Sequence, residues 1–127
     1  MLTGDIEKQA EAKLVGRYNE TIQSDILAVP HHGSNTSSIR NFIYTVKLEI
    51  AIIPAGWLNR FHLPSTKVVR RFQDLNVDLL STGQYGAILI STGENMEVVA
   101  YHHVARRYWY YQNETNDTSR YAISLLK

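Results

Sequence analysis

Two hydrophobic periods alternate along the first three quarters of the chain. Ile6, Ala10 and Leu14 recur every fourth residue, with Lys8, Glu11, Lys13 and Arg17 on other faces, which predicts a helix over 5–18. Residues 24–29 form a short apolar run stopped by Pro30, the pattern of a buried strand. Residues 31–38 have loop composition, and Ile39, Phe42, Ile43 and Val46 then give the stripe of an amphipathic helix, with Ser38 placed to cap it. A second apolar strand is expected over 49–55 and a loop over 56–63. Pro64-Ser65 then opens a helix whose Val68, Phe72 and Leu75 share a face. Three further strands are expected at 77–80, 85–90 and 97–101, separated by the turns Thr82-Gly83-Gln84 and 91–95 and closing as a meander or hairpin. Helix and strand in alternation, followed by paired strands, predict a sheet covered by helices, an α/β arrangement.

Composition narrows this picture only a little. The 127 residues, 44% hydrophobic, suit one globular domain. A formal net charge of +1 means that any attraction to nucleic acid must come from a local basic patch. The absence of cysteine excludes disulfides, thiolate catalysis and thiolate-bound zinc, so a metal would have to use His, Asp or Glu. The longest apolar runs, at 50–55 and 87–90, fall far short of the roughly 20 residues that span a bilayer, and no signal-peptide pattern opens the chain. Leu2-Thr3-Gly4-Asp5 goes straight into a strand end and a turn, as expected of a domain entered midway. From Arg106 the composition turns aromatic and basic, Arg106-Arg107-Tyr108-Trp109-Tyr110-Tyr111, and then polar, so a domain over 1–105 and a tail over 106–127 are expected. The four sequons, at Asn19, Asn35, Asn113 and Asn116, are read as chance.

Three segments could carry chemistry, and each lies where a strand gives way to a loop: Thr3-Gly4-Asp5, Pro30-His31-His32-Gly33-Ser34 and Asn59-Arg60-Phe61-His62. In open α/β sheets ligands gather at the carboxyl ends of the strands. Asp5 alone reads as a helix N-cap, or as a carboxylate able to give one oxygen to each of two cations. Two adjacent imidazoles cannot both be buried easily, and a neutral imidazole is the commonest metal ligand. Ser34 with the hydroxyls and amide after it suits a phosphate near a helix start. Asn59 and Arg60 suit a phosphate as well, Arg60 through its planar fork. His62 is either a cleft residue or a loop histidine bonded to backbone. Lys67, Arg70 and Arg71 read first as the wet face of a helix and second as a basic rim for a DNA backbone. The run 106–111 is read as a packing surface before a stacking platform for single-stranded DNA. His102-His103 are read as incidental.

Taken in order, Leu2-Thr3-Gly4-Asp5-Ile6, then the stretch from Asp25 through Val29-Pro30-His31-His32-Gly33-Ser34, then Ala55-Gly56 and Asn59-Arg60-Phe61-His62-Leu63-Pro64, closely resemble the last blocks of the metallo-β-lactamase domain of ComEC/Rec2 competence proteins. The resemblance covers roughly residues 1–100. It implies the C-terminal half of a four-layer αββα metallo-β-lactamase fold with a dinuclear metal site. Asp5 would bridge two divalent ions, Zn or Mn, and one of His31 and His32 would be the late histidine ligand. His32 is favoured because it directly precedes Gly-Ser. The remaining ligands of the family come from an HxDxDH-type block that this sequence lacks, so the chain alone is expected to be inactive and to hold at most one metal weakly.

The resemblance further implies metal-assisted hydrolysis of a phosphodiester. His31 or His62 would protonate the leaving oxygen, and Ser34, Asn59 and Arg60 would hold the phosphate. The substrate would be the non-transported DNA strand during natural transformation, bound without sequence readout. The partners would be the missing N-terminal half and a transmembrane channel in a bacterial inner membrane, with dimerisation through exposed apolar surface also expected. Two other readings stand beside this one. The domain would be a non-catalytic DNA-binding or channel-stabilising module if the first half lacks its ligands, or a hydrolase of a small phosphoester if the pocket is narrow and lacks a basic rim.

Overall fold

The computed structural model describes residues 1–93 and 96–101. The predicted tail over 106–127 and the pair His102-His103 lie outside the described residues. The chain divides into two units, residues 1–84 and residues 85 onward.

The first unit alternates helix and strand: α1 (Lys8–Tyr18), β1 (Ile26–Ala28), α2 (Arg40–Val46), β2 (Ile50–Ile53), α3 (Thr66–Gln73) and β3 (Asp78–Ser81), followed by a single helical turn, α4 (Thr82–Tyr85). The strands pair in parallel in the order β1-β2-β3, with Leu27 opposite Ala51 and Ala51 opposite Leu79. Leu2 adds a parallel bridge to Ala28 on the outer side of β1. Four consecutive segments therefore run the same way, and their carboxyl ends share one edge of the sheet. Parallel strands need crossover connections, and α1, α2 and α3 supply them. Phe42, Ile43, Val46, Val68 and Phe72 are buried against Leu27, Ala51 and Ile53 in one core, and each such side chain contributes about 1.5–3 kcal/mol of burial. In the second unit β4 (Ile88–Thr92) and β5 (Met96–Ala100) form an antiparallel hairpin. The architecture is mixed α/β, as the alternating periods predict.

Three local differences from the sequence-based expectation have physical causes. Gly4 takes φ +58°, so the chain turns before α1, and the cap position falls at Glu7, not Asp5. Residues 82–85 form a helical turn that packs so closely on the end of β2 that a side chain at Gly83 would meet the Ala55 carbonyl at 2.8 Å and the Trp57 nitrogen at 2.9 Å. The strand expected from Tyr85 accordingly begins at Ile88.

Ser38, expected to cap α2, leaves that role to α1. Glu11 is fully buried, and its carboxylate accepts from the backbone N–H groups of Ser38 at 2.6 Å and Ile39 at 2.8 Å, the unpaired donors at the α2 start. Arg71 of α3 donates to the carbonyls of Ser37 and Ser38 and to the Asn35 side chain. It is therefore a structural clamp and not part of an exposed basic rim. Burial pushes the Glu11 carboxyl up, while the Ile39 and Ser38 N–H groups and the Arg71 charge pull it back part of the way.

Glu11→Ala, which leaves two buried donors unanswered, is expected to cost about 3 kcal/mol in urea unfolding. A carboxyl that holds its proton more tightly folded than unfolded stabilises most below its unfolded value of about 4.3, and that contribution is lost as pH rises through the raised value. The wild type should therefore lose stability relative to Glu11→Gln as pH rises from about 4 to 7. Gly33 has φ +80°, and a Cβ there would sit 2.7 Å from Pro64 Cβ. Gly33→Ala should cost about 2 kcal/mol or more in the same assay.

Candidate metal and phosphate site

The last β1 ladder bond is Val29 N–H to the Ile52 carbonyl, and Pro30 then stops the strand. His31, His32 and Gly33 follow with φ of +48°, +54° and +80°. Two successive non-glycine residues in the left-handed region cost roughly 1 kcal/mol or more each, a strain that persists only where neighbours over-determine it. Here His31 N–H donates to the Gly4 carbonyl, Ser65 N–H to the Gly33 carbonyl and Ser37 Oγ–H to the Pro30 carbonyl. The corner therefore joins the turn before α1, the loop after β2 and the approach to α2.

This geometry brings Asp5 and His32 together. His32 Nδ1 lies 2.7 Å from the Pro54 carbonyl oxygen, and Nε2 lies 3.7 Å from Asp5 Oδ1. A carbonyl only accepts, so Nδ1 carries the hydrogen and the neutral ring presents its Nε2 lone pair toward Asp5. A lone pair facing a carboxylate at this distance suits a shared cation, either a proton on the ring or a metal ion. Both side chains are open to solvent, at 50% and 75% exposure for His32 and Asp5, so an ion could reach them.

His31 belongs to a different cluster. Its Nδ1 is 3.3 Å from Glu7 Oε1 and 3.4 Å from Thr36 Oγ1, and Thr36 Oγ1–H donates to the same Glu7 oxygen at 2.8 Å. A carboxylate and a hydroxyl thus fix the orientation of the His31 ring. Ser34 Oγ lies 3.1 Å from Thr36 Oγ1, beside this group.

The third segment is divided in its roles. Asn59 Nδ2 donates to the Gly56 and Leu63 carbonyls, and Oδ1 accepts from Leu63 N–H, so its amide closes the loop and has no donor left for phosphate. Arg60 is exposed, with its guanidinium 4.6 Å from the Phe61 ring centre. His62 is exposed, takes φ +52°, and has no side-chain hydrogen bond among the described residues. Lys67 and Arg70 are exposed on α3. Among the described residues no three His, Asp or Glu side chains come together as a metal-binding group.

Glu7 is not among the residues singled out by sequence, and Thr36, read there as a phosphate donor, instead bonds Glu7. Glu7 follows Asp5 by two, at the head of a predicted helix where an acidic residue is ordinary. Glu11, read as solvent-facing, had a signal: Leu14 and Val15 at i+3 and i+4 place it within the apolar face. Arg71 had the same signal, between Val68 and Leu75.

Comparison with known proteins adds the remaining finding. No family model matches the chain, and no solved structure matches it. The chain is 35% identical over 113 residues to the uncharacterized protein YcaI of Escherichia coli, a stretch covering 88% of this chain and 15% of the relative. It is 33% identical over 109 residues to competence protein ComA of Neisseria gonorrhoeae, covering 86% and 16%. With ComE operon protein 3 of Bacillus subtilis it shares 40% identity over 88 residues, covering 69% and 11%. The matched stretch thus spans about a sixth or less of these relatives' lengths. At this identity over more than two thirds of its length, the chain belongs to the ComEC/Rec2 family of competence proteins.

Proposed function

We propose that this chain supplies the later half of a metal-dependent phosphodiesterase site, on a metallo-β-lactamase αββα architecture, that degrades the non-transported DNA strand beside an uptake channel. The observation that carries the reading is the Asp5–His32 apposition, a carboxylate oxygen and an imidazole nitrogen 3.7 Å apart and open to solvent, which supports a shared cation there. Its competence context is supported by relatives named for competence. No helix among the described residues is long and apolar enough to cross a membrane, and the channel partner belongs to the proposal.

The donor set fits Zn²⁺ or Mn²⁺, which accept imidazole and carboxylate alike. Two such ions, when bound, would supply a Lewis acid for the phosphate oxygens and lower the pKa of water. Asp5 and His32 Nε2 would hold part of this centre, with the other donors coming from outside these residues. The Pro54 carbonyl on Nδ1 keeps the ring in the tautomer that ligation needs. His31, held by Glu7 and Thr36, would give a proton to the leaving oxygen. Arg60 brings a planar cation and Ser34 a hydroxyl for the phosphate, and Asn59 acts through the shape of the loop.

The intact protein should cleave labelled single-stranded DNA with Mn²⁺ or Zn²⁺, and Asp5→Ala or His32→Ala should lower the rate about a hundredfold or more. Glu7→Gln should lower it about tenfold without changing metal content, since it acts through His31. Undiminished cleavage by Asp5→Ala would contradict the reading. Binding of DNA without cleavage by the wild type would favour the non-catalytic module instead.

A further inference from the structure

The loop between β2 and α3 carries, beside the Arg60 of the phosphate reading, apolar side chains that reading does not use. Within five residues it exposes three large apolar side chains: Trp57 at 48%, Leu58 at 86% and Phe61 at 65%. Large apolar groups gathered at a surface mark a contact site more often than an accident. The cluster is not purely apolar, because the Arg60 guanidinium lies over the Phe61 ring.

The loop is also built to hold its shape. Leu58 and His62 take φ of +51° and +52°, a conformation that side-chain-bearing residues rarely adopt. The three Asn59 side-chain bonds and the His62 N–H bond to the Asn59 carbonyl lock the loop between them. Both of its ends are tied to the histidine corner, at Pro54 by His32 Nδ1 and at Ser65 by the Gly33 carbonyl. A rigid loop that presents rings and one cation and is anchored at the Asp5–His32 corner differs from a mobile hydrophobic tip.

We infer that Trp57 and Phe61 form a stacking platform for the bases of single-stranded DNA, with Arg60 taking the neighbouring backbone phosphate; this rests on the DNA reading above. Stacking needs unpaired bases, so the platform discriminates single strands from duplex without reading sequence. Because the loop is fixed to the corner, a strand stacked on it is delivered to the edge where Asp5 and His32 meet. The cation among the rings favours a nucleic acid over a lipid surface, where Leu58 would carry the insertion and Arg60 would stay at the headgroups.

The test uses the whole 127-residue chain, which has two tryptophans, in a Trp109→Phe background so that fluorescence reports Trp57 alone. In EDTA, an oligothymidylate should quench Trp57. Phe61→Ala should weaken single-strand binding about tenfold, Phe61→Tyr should restore it, and duplex binding should change less than about twofold. Since the Phe61 side chain is 65% exposed, these variants should keep the wild-type far-UV circular dichroism. Equal losses for single strand and duplex, no binding of either, or a response to anionic phosphatidylglycerol vesicles and not to the oligonucleotide would each overturn the platform. The titration contains no free metal, so it is independent of cleavage. Failure of the platform with Asp5-dependent cleavage intact sinks this inference alone, whereas quenching without cleavage leaves it standing and sinks the phosphodiesterase reading.

Discussion

The hydrogen bond from His32 Nδ1 to the Pro54 carbonyl is the contact on which the reading of this protein depends. It joins the corner after β1 to the loop after β2, and it decides which ring nitrogen is left for Asp5. Without it the imidazole could rotate or change tautomer, and the 3.7 Å approach of Nε2 to a carboxylate would have no chemical meaning. With it, the two groups form a pair of acceptors suited to a shared cation. The parallel register of the strands makes the contact possible, since it brings the ends of the Leu2 segment, β1 and β2 to one edge.

Keeping that corner in place is costly, and the surrounding structure supplies the restraint. Two histidines and a glycine in succession hold left-handed backbone angles, answered by bonds from Gly4, Ser65 and Ser37. Behind them Glu11 and Arg71, from α1 and α3, grip residues 35–39 from opposite sides by their N–H groups and carbonyls. Breaking one member of such a buried charged set is far more costly than the set is stabilising, which makes it a device for fixing position. The same logic applies to Asn59, whose amide is spent on the shape of the loop that carries Arg60, Phe61 and His62.

Much of the first unit was legible because its signals are local. Periods of four, an apolar run ended by Pro30 and a helix opened by Pro64 mark helices and strands without knowledge of the fold. The meeting of Asp5 with His32 followed from both lying at strand ends. What could not be read were contacts that depend on tertiary placement. The Glu7–His31–Thr36 cluster spans 29 residues between Glu7 and Thr36. The helical turn at 82–85 packs at Gly83 against the backbone of residues 55–57, a contact far away in sequence. Glu11 was misplaced on the wet face because its charge outweighed the apolar neighbours at i+3 and i+4, although those neighbours placed it correctly.

The central claim is that His32 offers its Nε2 lone pair to a cation shared with Asp5, and ¹⁵N-detected NMR of the imidazole tests it directly. In the metal-free chain the neutral ring should be the Nδ1–H tautomer, and added Zn²⁺ should shift Nε2 in the wild type but much less in Asp5→Ala. A ring found as the Nε2–H tautomer, or a zinc shift indifferent to the loss of Asp5, would contradict the account.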